Sequence, residues 1–302
     1  MDSRLTGLVD AAKAGNPQAR TMLAHVQAMG IYTPRNLNLA LDNLASAASV
    51  DWPDAKRELQ VLARMSGVSW KKLRASVNPE ALRRPPERRV VLDRPRVRAF
   101  ESFATSQECD WLVERCRHHL KPAEVYQGSG TDLQRHMGRS NSEASYEIDA
   151  SDVVLSLILD RISRASGIPV ENFEVGKLLH YKPGETFERH HDFLQPGMHE
   201  EIETRGQRVA TFLTYLNDDY DGGETEFSEV GYKFKARKGD ALMFLNVSAD
   251  GAPDPMSMHA GLPPTRGEKW LLSLWLRGKP VNAYQTPGVT GAPLPPDWYR
   301  DA

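Results

Sequence analysis

The sequence predicts an α+β protein in which an all-α region precedes a β-sandwich or jelly roll buttressed by helices. Three observations predict this. Residues 1–80 show no strand pattern and are rich in alanine, leucine and charge. Two helical patterns follow, at 106–119 and 151–165. Beyond Val170 the chain reads mostly as short alternating strands. A chain of 302 residues suits about two domains and buries a core without disulfides or structural metals.

The first region repeats itself. Ala11–Ala24 lies over Ala47–Gln60, so that Ala11, Ala12, Pro17 and Ala19 meet Ala47, Ala48, Pro53 and Ala55. The offset of 36 residues suits a helix–turn–helix repeat. Over this stretch the chain resembles the Sel-like repeats, relatives of the tetratricopeptide repeats. Two repeats leave apolar faces uncovered, so these helices are expected to pack on a neighbour, with a concave face near the entrance to the site described below. They either dock a partner or brace the fold.

Pro85, Pro86 and Pro95 among arginines mark Leu82–Arg98 as a linker entering a strand. Ser106–His119 is a helix capped by Thr105 or Ser106, with Glu108 near its positive end. Ser151 and Asp152 open a second helix, Ser151–Ala165, carrying Val153, Val154, Leu157, Ile158 and Ile162. Val209–Leu216 alternates, with Val209, Thr211, Leu213 and Tyr215 on one face. Asp221-Gly222-Gly223 is a turn, and Ala241–Leu245 and Lys269–Leu276 are further strands. The chain thus divides into helical repeats at 1–82, a basic linker and first strand at 83–98, a β-rich domain at 99–280, and a proline- and glycine-rich tail at 281–302.

Composition narrows the function. The formal net charge of −2 supplies no field for nucleic acid, and the basic cluster Arg83–Arg98 reads as a solvated linker. No apolar run approaches membrane-spanning length. Charges interrupt the first apolar stretch, which argues against a secretory leader. Cys109 and Cys116 lie seven apart on one helix, roughly 10 Å along its axis at 1.5 Å per residue. That separation is too long for a disulfide, and a reducing cytoplasm fits.

The chemistry concentrates in Tyr181–Phe193 (YKPGETFERHHDF). His190 and Asp192 are two apart, and on an extended strand both side chains leave one face. An imidazole and a carboxylate side by side are two-thirds of the facial triad of non-heme iron(II) oxygenases. His259, after the strand Ala241–Leu245, is the candidate third ligand. Such a triad leaves three iron positions open, two for a chelating 2-oxo acid and one for dioxygen. The far carboxylate of that acid needs a cation. Lys269 shares a strand face with Leu271, Ser273 and Trp275, and a buried ammonium there demands an anion. Arg277 is the next candidate anchor. His191 alternates away from the ligand face. His118 and His119 suit a helix C-terminus. His25, His136, His180 and His199 show no ligand spacing, and the two cysteines read as packed helix residues.

The motif has company. Tyr181-x-x-Gly184-x-x-Phe187-x-x-His190-x-Asp192 precedes Arg208-Val-Ala-Thr211, Tyr215-Leu-Asn, Gly222-Gly223-Glu224-Thr225 and Gly239-Asp240. Then come His259-Ala-Gly261, Gly267-Glu268-Lys269-Trp270 and Trp275. From roughly Arg88 to Lys279 this pattern resembles the catalytic domain of the prolyl 4-hydroxylases, within the iron(II)- and 2-oxoglutarate-dependent oxygenases. The resemblance implies a double-stranded β-helix, with His190, Asp192 and His259 as metal ligands and Lys269 as partner of the distal 2-oxoglutarate carboxylate. It implies Tyr181, Thr211 and Trp275 as residues lining the co-substrate pocket. It brings Arg139 and Glu174 near the peptide groove, and O2 and ascorbate as co-substrate and reductant. The chain departs from the family at Phe187, where tyrosine is common, and at Ser140-Asn141, where threonine and serine follow the arginine.

The leading reading is hydroxylation of a peptide or protein side chain, most plausibly proline, with release of succinate and CO2. Phe187, which lacks a hydroxyl that would touch substrate, keeps a free amino acid or small metabolite as the alternative. A repeat scaffold with a relic oxygenase fold is the reading from another class, and the retained ligands and Lys269 oppose it. Asp192 argues against a halogenase, in which the carboxylate gives way to halide. The charge argues against nucleic-acid demethylation.

Overall fold

The computed structural model describes residues 2–123, 125–126, 133–134, 138–147 and 149–302; His136 lies outside them. By contact these residues form two units. The first gathers residues 1–85, Glu147–Ala165 and Asn282–Thr290, and the second the remainder. The helix at 151–165 and part of the tail therefore group with the N-terminal helices, whereas the sequence places them in 99–280 and 281–302. The sequence pattern of that helix shows that its face is buried but not against what.

In the first unit, α1 (Thr6–Lys13), α2 (Pro17–Met29), α3 (Leu37–Ala48) and α4 (Pro53–Ala63) run in succession. The short helices α5 (Trp70–Ser76) and α6 (Pro79–Leu82) follow. Asn16 and Asn36 cap α2 and α3 by accepting from backbone N–H groups. Pro17 and Pro53 each occupy the first turn, where a missing N–H costs nothing. Chain order resumes with α7 (Ser106–Cys116) of the second unit, whose N-terminus is closed by a Thr105–Glu108 capping box. The helix α8 (Val153–Ser166) returns to the first unit. Its Val153 N–H donates to Glu58 at 2.7 Å, and Glu58 also meets His25 at 2.8 Å. A buried carboxylate is thus offset by a helix N-terminus and an imidazole. The Ser156 hydroxyl donates to Ala28 O, and Arg35 reaches Ser156 and Asp160.

The second unit is built on antiparallel strands. In chain order the described strands are β1 (Arg89–Leu92), β2 (Val97–Phe100), β3 (Lys121–Pro122), β4 (Val125–Tyr126), β5 (Leu133–Gln134) and β6 (Ser142–Ser145). Then come β7 (Lys177–Tyr181), β8 (Phe187–His190), β9 (Arg208–Tyr215), β10 (Asp221–Gly222) and β11 (Thr225–Phe227). The last are β12 (Tyr232–Phe234), β13 (Ala241–Leu245), β14 (His259–Gly261), β15 (Pro264–Arg266) and β16 (Lys269–Arg277). An eight-stranded sheet has the order β1-β2-β13-β9-β16-β7-β6-β3, and a four-stranded sheet the order β12-β11-β14-β8. From β7 onward the chain crosses repeatedly between the two. Leu179, Leu213, Tyr215, Phe244 and Leu271 of the large sheet share one core with Phe227 and Phe234 of the small one. Each such burial contributes roughly 1.5–3 kcal/mol.

Two local expectations change. Asp221-Gly222 is a short strand paired with β15 rather than an isolated turn. Gly223 follows with φ +68°, and a Cβ there would stand 2.8 Å from the Tyr220 ring. Part of the basic stretch is spent on carbonyls, with Arg96 donating to Tyr299 O and Val247 O, and Arg98 to Leu92 O, while Arg84, Arg88, Arg89 and Arg94 stay exposed as a solvated linker would. Cys109 and Cys116 are buried, their thiols facing Tyr215 O and Ser145 O. Among the described residues no helix is long and apolar enough to cross a membrane. The short helices α9 (His199–Arg205) and α10 (Trp298–Asp301) complete the chain.

Candidate active site

The register of the small sheet sets the geometry. β14 pairs with β8 so that His259 stands directly opposite His190. Asp192 lies two residues beyond His190, just past the end of β8 rather than on it. It still converges: Asp192 Oδ1 is 3.5 Å from His190 Nε2, and Oδ2 is 3.5 Å from His259 Nε2. One ligand atom from each of the three residues lies within 4.8 Å of the others.

Backbone carbonyls select the imidazole tautomers. His190 Nδ1–H donates to Glu188 O at 2.7 Å, and His259 Nδ1–H donates to Ser257 O at 2.9 Å. Both Nε2 lone pairs are thereby left facing Asp192 and available to a metal. Burial brings the His259 imidazole down to about 4, so it is neutral at physiological pH. Burial alone would raise the Asp192 carboxyl. The neighbouring His259 and His190 and the Thr211 hydroxyl outweigh it and hold the group well below the usual carboxylate range. Two imidazoles and one carboxylate form a donor set suited to iron(II).

One cavity is lined by all three of these residues together with Tyr181, Thr211, Lys269 and Trp275. Lys269 opens β16, pairs with Tyr181 of β7, and is 1% exposed. Its ammonium donates to Gly223 O at 2.7 Å, the carbonyl presented by the glycine turn. Burial, and secondarily the charge of Lys235, bring the ammonium down to about 7. Arg277 is committed elsewhere, donating to Glu174 and Glu201. The Thr211 hydroxyl donates to Asp192 Oδ2 at 2.6 Å, so this residue of the cavity wall also supports the ligand.

Toward the rim, Phe187 stacks on His190 with ring centroids 3.5 Å apart and planes inclined by 13°. The Arg139 guanidinium covers the Phe187 ring at 4.3 Å and pairs with Glu143 at 2.7 Å. Arg139 and Phe187 both line the cavity. Glu174 does not; its carboxylate accepts from Arg208 and Arg277. Arg208 in turn lies 3.8 Å above the Trp275 ring. The remaining histidines stay apart from the ligand set. His191 faces Pro255 O, His180 meets Glu268 and stacks on Trp270, and His25 meets Glu58. His118 and His119 end a 3-10 turn, and His199 begins α9. Sequence reasoning missed Thr225, whose hydroxyl bonds the Tyr215 phenol at 2.7 Å on the cavity wall, and Arg208 over Trp275. Both stand in the motifs quoted above, but their spacing does not reveal what either side chain touches.

Comparison with known proteins identifies relatives of this chain. A profile of the 2OG-Fe(II) oxygenase superfamily matches residues 176–277. Probable prolyl 4-hydroxylase 9 of Arabidopsis thaliana is 34% identical over 206 residues, 62% of this chain and 70% of that protein. Prolyl 4-hydroxylase 1 of the same plant is 32% identical over 207 residues, 64% of this chain and 72% of that protein. Among solved structures, the viral collagen prolyl hydroxylase of Paramecium Bursaria Chlorella virus-1 in its 2OG complex shares 24% identity, with a TM-score of 0.48 over 59% of this chain and 94% of that one. The chain belongs to the prolyl 4-hydroxylase-like family of 2-oxoglutarate- and iron(II)-dependent dioxygenases.

Proposed function

We propose that this protein hydroxylates a prolyl side chain of a peptide or protein, consuming O2 and 2-oxoglutarate and releasing succinate and CO2. The observation that carries the reading is one cavity holding both a His-Asp-His cluster and a buried lysine that, among the described residues, forms no ion pair. His190, Asp192 and His259 would hold iron(II), which when bound supplies the activation of dioxygen. Lys269 would take the distal carboxylate of 2-oxoglutarate, replacing its contact to Gly223 O with a charge-assisted one. Tyr181, Thr211 and Trp275 shape the cavity around the co-substrate. Arg139, Phe187 and Glu174 are assigned to the substrate side, and ascorbate to keeping the metal reduced.

The two crossing sheets read as the double-stranded β-helix. The first four helices read as two Sel-like hairpins. Pro17 and Pro53 open the second helix of each, and Ala12, Ala48, Ala19 and Ala55 are all buried. We assign these repeats to partner recognition. Two buried thiols that form no disulfide with each other support a reducing, cytoplasmic setting.

Proline-containing peptides incubated with the protein, iron(II), 2-oxoglutarate and ascorbate should gain one oxygen on proline, read by fragment mass spectrometry. Oxygen gain on a free amino acid alone, with every peptide untouched, would replace the peptide reading.

A further inference from the structure

Asn246 stands one residue beyond β13 and is fully buried. Its Nδ2 donates to Thr211 Oγ1 at 3.0 Å, and that hydroxyl donates to Asp192 Oδ2 at 2.6 Å. The direction of this relay is fixed by chemistry. An ionised carboxylate only accepts, so the hydroxyl proton must face Asp192. The hydroxyl oxygen must then accept, and only the NH2 end of an amide donates. Asn246 Oδ1 is left buried without a hydrogen-bond partner among the described residues. That arrangement is costly for packing alone.

The backbone of the same residue serves a second ligand. Asn246 O accepts from Asp254 N–H at 2.9 Å. Asp254 begins the turn Pro255–Ser257, accepting from Met256 N–H with its side chain and from Ser257 N–H with its carbonyl. Ser257 O then receives the Nδ1–H of His259. One residue therefore touches neither ligand yet is joined to both.

We infer that Asn246 is a positioning residue for the metal centre: its side chain aims the Thr211 hydroxyl at Asp192, while its backbone anchors the turn that delivers His259. The inference rests on the reading of His190, Asp192 and His259 as metal ligands. The hydrogen bond to Oδ2 opposes rotation of the Asp192 carboxylate, so the ligand is aimed before a metal arrives.

The test is cobalt(II) titration of the full-length, metal-free protein, reading affinity and the d–d spectrum, alongside thermal unfolding without metal. Asn246→Leu and Thr211→Val should each weaken cobalt binding by about 10- to 100-fold and shift the d–d bands. The double variant should be no weaker than the poorer single one, because both changes cut one path. Thr214→Val removes another buried hydroxyl of β9, one with no hydrogen-bond partner among the described residues, and should leave affinity unchanged. Asn246→Asp keeps the shape without the donor and should resemble Asn246→Leu; it carries the test if the leucine variant does not fold. Wild-type cobalt affinity and spectrum in the Asn246 variants, or additive losses in the double variant, would overturn the inference. Failure of the wild-type protein to bind cobalt, or undiminished binding in Asp192→Ala, would instead remove the metal-centre reading and this inference with it.

Discussion

Lys269 and Tyr181 are register partners across β16 and β7, and the lysine ammonium lies 5.3 Å from the centre of the tyrosine ring. A cation held this way is oriented by a ring face and one carbonyl, with no carboxylate at salt-bridge distance among the described residues. Lys269→Ala should therefore weaken 2-oxoglutarate binding by about 100- to 1,000-fold or more, the equivalent of roughly 3–5 kcal/mol for a broken buried pair. Lys269→Arg should also bind poorly, since a planar fork does not fit a site shaped for an ammonium. Calorimetric titration measures both. Unchanged affinity in Lys269→Ala would move the anchor elsewhere.

The same burial makes co-substrate binding sensitive to pH. In the ligand-free fold the ammonium titrates at about 7, below its ordinary 10.5. Between those values the unfolded chain holds a proton that the folded chain has lost, so this group adds stability to the ligand-free protein as pH rises through that window. Below it, both states are protonated and the cost of the buried charge is carried in full. A bound dicarboxylate demands the charged form. Affinity for 2-oxoglutarate should thus fall above neutrality by up to about tenfold per pH unit, with proton uptake on binding. Titrations in buffers of different ionisation enthalpy would reveal the uptake; a flat profile from pH 6.5 to 8.5 would contradict it.

His190→Ala, Asp192→Ala and His259→Ala should each abolish succinate production while the chain stays folded, because the two-sheet core does not depend on the metal. Circular dichroism and a succinate assay separate the two effects. Wild-type turnover in any of the three would strike that residue from the ligand set.

Phe187 sits between a guanidinium and a ligand imidazole. An aromatic pair contributes about 0.5–1.5 kcal/mol beyond its area, so Phe187→Ala should weaken metal binding by roughly 2- to 12-fold. Phe187→Tyr keeps the stack and should bind metal normally. Equal metal affinity in Phe187→Ala would show that the stack does not steady His190.

Removing residues 1–85 takes from α8 its contacts to Ala28, Arg35, Glu58 and Leu82. The shortened chain should aggregate or lose cooperative melting, even though the strands of the site are retained. A monomeric, cooperatively melting product would show that α8 stands without these partners.

The reach of the sequence follows from the kind of signal each residue gives. His190, Asp192 and His259 are legible because iron chemistry restricts ligand type and because two of them sit at a short, fixed spacing. Lys269 is legible because a charge on an apolar strand face needs a reason. Asn246 gives no such signal: its role exists only because β13 pairs with β9 so that Phe244 stands opposite Thr211 and Leu245 opposite Ala210, and that register is a product of tertiary pairing. Thr211 was placed on the correct face, but a face does not reveal that its hydroxyl points at Asp192. The pattern of α8 announces a buried stripe, while its partners lie about 100 residues upstream at Glu58 and Ala28.

That last separation has a consequence during synthesis. Glu58, a carboxylate with almost no access to water, waits for the Val153 N–H that receives it. At about 5–20 residues per second, the stretch between residues 85 and 165 takes on the order of 4–16 s to emerge. For that interval the nascent helices carry an exposed apolar seam, and Glu58 has His25 but not its second partner. The ribosome's pace over the intervening strands sets how long they wait for α8.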